Sequence, residues 1–382
     1  MIKVFIVDDS IVSRQLLNYI FHLSGDIEVI GEAKDGQEAL ALIDERKIAL
    51  PDIITMDIEM PGIDGFETTK RILERVPVPI VIISNTLQYY SAEKAFRALQ
   101  AGALGAIGKP PGLGSSDFYK KAKELTDLVK RLSQVKVKLR TPSAMREMRP
   151  AEAQLDAESA LLSASQTTPH TLTLSRDQLN AWARRNSPEI VAIGASTGGP
   201  PAIQEILAAL PEDFLLPIVV VQHIASGLER NFAEWLDKTC AIHCTLAVEN
   251  DRIQKSTVYI APCGHHVKLR YPGIIEFEAP DADELIVPSV EALFHSVALA
   301  YRSRSIGILL TGMGRDGSRG LLELKLAGAL TIAQDRGSSV VYGMPGEAEK
   351  LGAAYCHADP ASIADMLTSL FPATPLEKEQ NQ

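Results

Sequence analysis

The 382-residue sequence is short of cysteine, of basic charge and of long apolar runs, and each shortage narrows what it can be. Its four cysteines, Cys240, Cys244, Cys263 and Cys356, are too few and too irregularly spaced for a disulfide framework. His243 beside Cys244, with Cys263, His265 and His266 downstream, invites a zinc reading, yet the paired CxxC-type spacing of structural zinc is missing. Ordinary thiols in or near a core are expected instead. Lys and Arg number 38 against 48 Asp and Glu, a net charge of −10. A nucleic-acid binder needs clustered cations to neutralise phosphates, and neither a basic stripe nor a basic recognition helix is present. No apolar run approaches the roughly 18 residues of a membrane span, so the chain is not expected to be membrane-embedded. The opening MIKVFIVDDS is too short an apolar run for a signal peptide, and aspartates follow it at once. A cytoplasmic protein is expected. Nucleotide motifs are missing too: Gly194, Gly198 and Gly199 do not make G-x-G-x-x-G, and no GK[ST] follows.

What is present is an alternation of strand-like and helix-like segments, twice over. Apolar residues make up 46% of the chain and charged residues 23%, ordinary for a globular protein and enough for two cores. In the first part the runs IKVFIV, IEVIGEA, DIITM, PIVIIS and ALGAIG alternate with segments of three- and four-residue apolar spacing. Strands alternating with helices predict a parallel sheet covered on both faces. From Thr141 to Ser187 the texture turns to Ala, Ser, Glu, Gln and Pro with weak periodicity, the signature of a linker. As a flexible coil it would span roughly 35–40 Å, enough for two domains to dock or part. The alternation resumes with EIVAIGAS, LPIVVVQH, TVYIAP, IGILLTG and LTIAQD. TVYIAPCGHHVKLRYPGIIEFE has hairpin character, which predicts a mixed, mostly parallel second sheet. The expected organisation is an α/β domain over residues 1–135, a linker over 136–188, a second doubly wound α/β domain over 189–371 and a polar tail over 372–382.

Polar residues stand where such sheets gather ligands, at the carboxyl ends of the strands. Asp8 and Asp9 follow the first run, Asp57 the third, Ser84 ends the fourth, and Lys109 follows the fifth. Three carboxylates close together repel, and a hard divalent cation such as Mg²⁺ relieves that strain. A hydroxyl and an ammonium at the same rim suit the oxygens of a transferred phosphoryl group. One aspartate at a loop tip is ordinary surface polarity; five matched positions at strand ends form a site.

In the second domain, Gly194-Ala195-Ser196-Thr197-Gly198 satisfies G-x-S-x-G, a nucleophile pattern on a sharp strand-to-helix turn. Alone the pattern is weak, since glycine turns also suit close packing. A serine nucleophile needs a base and a group to orient it. His223 ends the run PIVVVQH, and Asp316 follows GILLTGMG. Serine, histidine and aspartate at three strand ends are expected to converge. The order Ser, His, Asp is no obstacle, because triads are defined by geometry and roles.

On VDDS, TMDIEMPGIDG, IISN and GAIGKP, the first 125 or so residues resemble the receiver domain of bacterial response regulators. The resemblance implies a flavodoxin-like fold, Asp57 as phosphoacceptor, Asp8 and Asp9 with Asp57 as Mg²⁺ ligands, Ser84 as switch hydroxyl and Lys109 as phosphate partner. Phe96 and Tyr90 are both candidates for an aromatic switch residue. On IGASTGGP, QH, YIAP, PSVEALFHSVA, ILLTGMGRDG and YGMPGEA, the region from Glu189 to Phe371 resembles the catalytic domain of chemotaxis-type protein-glutamate methylesterases. That resemblance implies Ser196 as nucleophile, His223 as base and Asp316 as orienting acid, with Thr197 and the Met313 backbone supporting His223 and the oxyanion. It implies hydrolysis of glutamate methyl esters on the cytoplasmic helices of methyl-accepting chemoreceptors, deamidation of receptor glutamines, a chemosensory histidine kinase as phosphodonor, and no cofactor in the catalytic domain. Two departures bear on receptor preference: Ala-Pro-Cys263-Gly264-His265-His266 where the family often has APGDKH, and Asp283–Pro288 where it often has a basic stretch. The rival reading, a non-catalytic signalling adaptor, is opposed by the complete Ser196, His223 and Asp316 set.

Overall fold

The computed structural model describes residues 1–84, 97–98, 101–135, 137, 176–224, 226–281, 284 and 286–370. The first unit runs β1 (Ile2–Val7), α1 (Ile11–Ser24), β2 (Ile27–Ala33), α2 (Gly36–Asp44), β3 (Ile53–Met56), α3 (Gly65–Leu73), β4 (Ile80–Ser84), β5 (Gly105–Gly108) and α4 (Phe118–Leu132). Its five strands pair in parallel in the order β2-β1-β3-β4-β5, the flavodoxin-like arrangement. Alternation along β1 explains the two covered faces: Val4 and Ile6 join one apolar cluster, Phe5 and Val7 the other. The α1 helix starts at Ser10, whose hydroxyl accepts the Ser13 amide, and ends at Gly25 with φ of 74°. Along α4 the buried Phe118, Ala122, Leu125, Val129 and Leu132 recur at helical spacing against β1 and β4 residues. Each such Leu, Val or Phe stabilises the fold by about 1.5–3 kcal/mol relative to exposure.

The second unit runs α5 (Arg176–Asn186), β6 (Ile190–Ala195), α6 (Gly199–Ala208), β7 (Ile218–Gln222), α7 (Glu229–Thr239), β8 (His243–Leu246), β9 (Thr257–Ile260), β10 (His266–Arg270), β11 (Ile274–Glu278), α8 (Val290–Tyr301), β12 (Ser305–Leu309), α9 (Ser318–Leu326), β13 (Leu330–Gln334), α10 (Met344–Lys350), β14 (Cys356–Ala358) and α11 (Pro360–Leu370). Seven strands form one sheet in the order β14-β13-β12-β6-β7-β9-β8, and every pairing in it is parallel. The hairpin expected from the sequence exists, but β10 and β11 form a two-stranded sheet of their own, with one further antiparallel bridge from Ile274 to Arg252. The main sheet is therefore not mixed as the hairpin suggested; the turn at Gly273 returns the chain upon itself, and β10 packs on α8 instead. Along β6, Val191, Ile193 and Ala195 face one cluster while Ile190 and Ala192 face the other.

Two features were not drawn from the sequence. The short strands β8 and β14 form the edges of the sheet. Within the segment read as linker, α5 buries Leu179 in the second unit's core and donates from Trp182 Nε1 to the Gly328 carbonyl at 3.4 Å. Residues 136 and 138–175 of that segment, and the polar tail, lie outside the described residues. All four cysteines are free thiols. Cys244 and Cys356 sit in the core, and burial pushes the Cys356 thiol up to about 11 and the Cys263 thiol to about 12. No described helix is long and apolar enough to cross a membrane.

Candidate functional sites

The first site forms at the carboxyl edge of β1 and β3. The Asp8 amide donates to Ala33 and the Asp57 amide to Val7, so strand pairing itself brings the two aspartates side by side. Carboxylate oxygens of Asp8, Asp9 and Asp57 lie within 4.8 Å of one another. Asp8 and Asp57 are buried, while Asp9 is exposed. Lys109 Nζ lies 2.8 Å from Asp8 Oδ2 and 2.6 Å from Asp57 Oδ2, with Ser13 Oγ accepting at 3.4 Å. Burial works against the Lys109 charge, but the pairs with Asp57 and Asp8 outweigh it and hold the ammonium above the ordinary lysine value. The Asp8 carboxyl is raised too, which here disfavours its charge: burial raises it, Lys109 offsets only part of the rise, and the Asp57 charge adds to it. Asp8 Oδ2 is near Lys109 in distance yet has no hydrogen bond of good geometry. A buried, underpartnered oxygen beside two more carboxylates is a donor set that fits a hard divalent cation.

Ser84, buried at the end of β4, lies beside β5; the Lys109 amide approaches its carbonyl at 3.4 Å. Both aromatic candidates, Tyr90 and Phe96, fall outside the described residues. Sequence reasoning passed over Arg14, whose Nη1 donates to the Asp8 carbonyl at 2.7 Å and the Asp9 carbonyl at 3.2 Å. Its signal was an arginine one turn into the helix that follows the aspartates.

The second site lies where the strand order of the larger sheet reverses, between β6 and its neighbours β7 and β12. Register pairs Ala195 with Gln222 and Gly194 with Leu309, so the strands end together. Ser196 leaves β6 with its amide donating to the Thr311 carbonyl, and His223 leaves β7 with its amide donating to the Ala195 carbonyl. Buried Gln222 ties the two together: its Nε2 donates to the Ser196 carbonyl at 2.9 Å and the His223 carbonyl at 2.8 Å. The turn after Ser196 depends on Gly198, at φ of 79°, where a Cβ would meet Val340 at 2.5 Å.

Asp316 closes the constellation. Its Oδ2 lies 2.8 Å from His223 Nε2. The same carboxylate accepts the Ser289 hydroxyl at 2.8 Å, the Val290 amide at 2.7 Å and the Glu291 amide at 3.0 Å. Burial alone would raise the Asp316 carboxyl, but the His223 contact and the two amides at the start of α8 hold it below the ordinary carboxylate value. The carboxylate is thus kept ionised against the imidazole. Ser196 Oγ makes no hydrogen bond to His223 among the described residues; the common strand edge brings them together. Thr311, which the sequence did not single out, shares its hydroxyl between the Thr197 and Val341 carbonyls at 3.0 and 3.2 Å. Met313 is partly exposed on the loop after β12. Ser289 was also missed; a serine directly before the apolar run VEALF was its helix-cap signal.

A doubly wound receiver with an acidic pocket, joined to a parallel α/β unit carrying serine, histidine and aspartate at one rim, defines a response regulator with a hydrolase as its output. Two family models match: Response regulator receiver domain over residues 4–115 and CheB methylesterase over residues 191–367. The chain belongs to the CheB methylesterase family. It is 39% identical over 370 residues to protein-glutamate methylesterase/protein-glutamine glutaminase 1 of Syntrophus aciditrophicus, covering 97% of this chain and 98% of that protein. With protein-glutamate methylesterase/protein-glutamine glutaminase 4 of Geobacter metallireducens the identity is 42% over 371 residues, 97% of this chain and 99% of that protein. The crystal structure of the Thermotoga maritima CheB methylesterase catalytic domain is 35% identical with a TM-score of 0.46, covering 48% of this chain and 98% of that one.

Proposed function

We propose that this hydrolase demethylates glutamate methyl esters, and deamidates glutamines, on the cytoplasmic helices of chemoreceptors, under control of its receiver domain. The observation that carries the reading is the ionised Asp316 held 2.8 Å from His223, on the strand edge that also delivers Ser196. Asp316 takes the Nε2 side of the ring, so Nδ1 is the nitrogen left to accept the Ser196 proton. Ser196 Oγ attacks the ester carbonyl as its proton passes to His223. His223 then returns the proton to the departing methoxy group, and methanol leaves. Water, activated by the same imidazole, hydrolyses the acyl-serine and restores the enzyme. With glutamine the leaving group is ammonia. The amides of Thr197 and Met313 donate to no other group among the described residues and suit the oxyanion.

In the receiver, Asp57 accepts the phosphoryl group from a chemosensory histidine kinase. Asp8, Asp9 and Asp57 hold Mg²⁺, which when bound offsets their mutual repulsion and the charge of the phosphoryl oxygens. Lys109 and Ser84 are set to receive those oxygens once the phosphoryl group draws Lys109 from its present partners. A substrate on the cytoplasmic helices of receptors supports a cytoplasmic location.

Methanol release from methylated receptor tests the reading. Asp316→Asn should lower turnover by about ten-thousand-fold, and Ser196→Ala should leave almost none. Near-normal release by the Ser196 variant would remove the nucleophile and with it the mechanism.

A further inference from the structure

Asp316 is anchored less by its own loop than by the first turn of α8. Ser289, Val290 and Glu291 together supply three donors to its two oxygens. Wherever the start of α8 goes, Asp316 follows. What holds that helix start is the separate hairpin. The Ser289 amide donates to His266 Nδ1 at 3.1 Å. An acceptor at Nδ1 fixes the tautomer of the imidazole, so its proton is on Nε2, which donates to Glu284 Oε2 at 2.8 Å. His266 is 3% exposed, so the bond to the Ser289 amide is shielded from solvent, while Glu284 holds the other ring nitrogen from the exposed side. Two helical turns further on, the Leu269 amide donates to Ser296 Oγ at 3.0 Å. The hairpin thus holds α8 at its N-cap and again near its middle, while contributing no strand to the main sheet.

We propose that His266 is a positioning residue for the hydrolytic reaction: through the Ser289 cap it sets Asp316, and through Asp316 it sets the ring of His223. The hairpin is a buttress for the base, not a decoration of the sheet's flank. This rests on the reading of Asp316 as the orienting acid. His266 touches no substrate, so its effect falls on turnover and not on receptor binding. Orientation errors of about an ångström at a catalytic group are enough to cost rate.

The test uses the full-length phosphorylated protein and methylated receptor, with kcat and KM measured for three substitutions at one position. His266→Leu leaves the Ser289 amide without an acceptor; kcat is expected to fall about tenfold with KM within about twofold. His266→Asn puts an amide oxygen near the Nδ1 position and should recover most of the lost turnover. His266→Gln reaches toward the Nε2 position and should not. An unchanged kcat in the Leu variant, or Asn and Gln variants equally impaired, overturns the proposal. Should the Leu variant fail to fold, the Asn and Gln comparison decides alone. Ser196→Ala is run beside them: if it keeps methanol release, the triad itself is wrong; if it loses release while His266→Leu does not, only the buttress falls.

Discussion

At Asp8 the chemistry of the receiver and its stability pull in opposite directions. Burial raises the carboxyl above its unfolded value, so at neutral pH the charge destabilises the fold, and the penalty fades as pH falls through the raised value. Lys109 cannot remove the penalty because it also serves Asp57 at 2.6 Å. Asp8→Asn should therefore raise the melting midpoint of the Mg²⁺-free protein by a few degrees, about 1 kcal/mol. With Mg²⁺ added the order should reverse, the parent gaining stability and the variant little; a thermal melt at two Mg²⁺ concentrations checks both. Asp8, Asp57 and Lys109 were legible from their places at strand ends. Arg14 was passed over, although it stands one turn into the helix after the aspartates, because its contacts are with the Asp8 and Asp9 backbone carbonyls and residue types do not mark those.

At the scale of elements, the turn between β6 and α6 concentrates the demands on the second site. Gly198 takes a left-handed conformation there and leaves no room for a side chain under Val340. Gly198→Ala should cost about 1–3 kcal/mol of stability and displace Ser196, lowering methanol release more than receptor binding; chemical denaturation and steady-state kinetics would separate the two losses. The G-x-S-x-G spacing made this turn readable in advance. The edge strands β8 and β14 were not, since three or four residues at the rim of a sheet need no long apolar run. Nor was the separation of the hairpin from the sheet. Period-two patterning says that β10 and β11 are strands, but not which partner they choose.

At the scale of the whole molecule, the two units meet through the loop that closes the hydrolytic site. Val340 and Val341 pack against the receiver's apolar cluster, and the same loop covers Gly198 and bonds to Thr311. A receiver resting on that loop is expected to restrict access to Ser196, and phosphorylation at the proposed acceptor Asp57 to change the charge and packing that hold it there. Removing residues 1 to about 140 should then raise basal esterase activity, by about tenfold if the closed form holds about nine-tenths of the population. Unchanged activity from a folded truncation would show that the receiver does not restrain the site. The two-domain plan was plain in the sequence because alternation stops and restarts around an Ala, Ser and Pro-rich stretch. That α5 belongs to the second core was hidden, because one Leu and one Trp on a polar helix are too weak a signal.

The sequence by itself determined the parallel α/β units, the placement of acids and lysine in one and of serine, histidine and aspartate in the other. It did so because apolar runs fix where strands end, and sheets of this kind present their strand ends on a common rim. Only the tertiary structure decided what holds those groups in place: the α8 cap around Asp316, the His266 contact behind it and Gln222 between the two strand ends. Those bonds join residues far apart in the chain through backbone amides and carbonyls, which every residue carries and no sequence pattern marks.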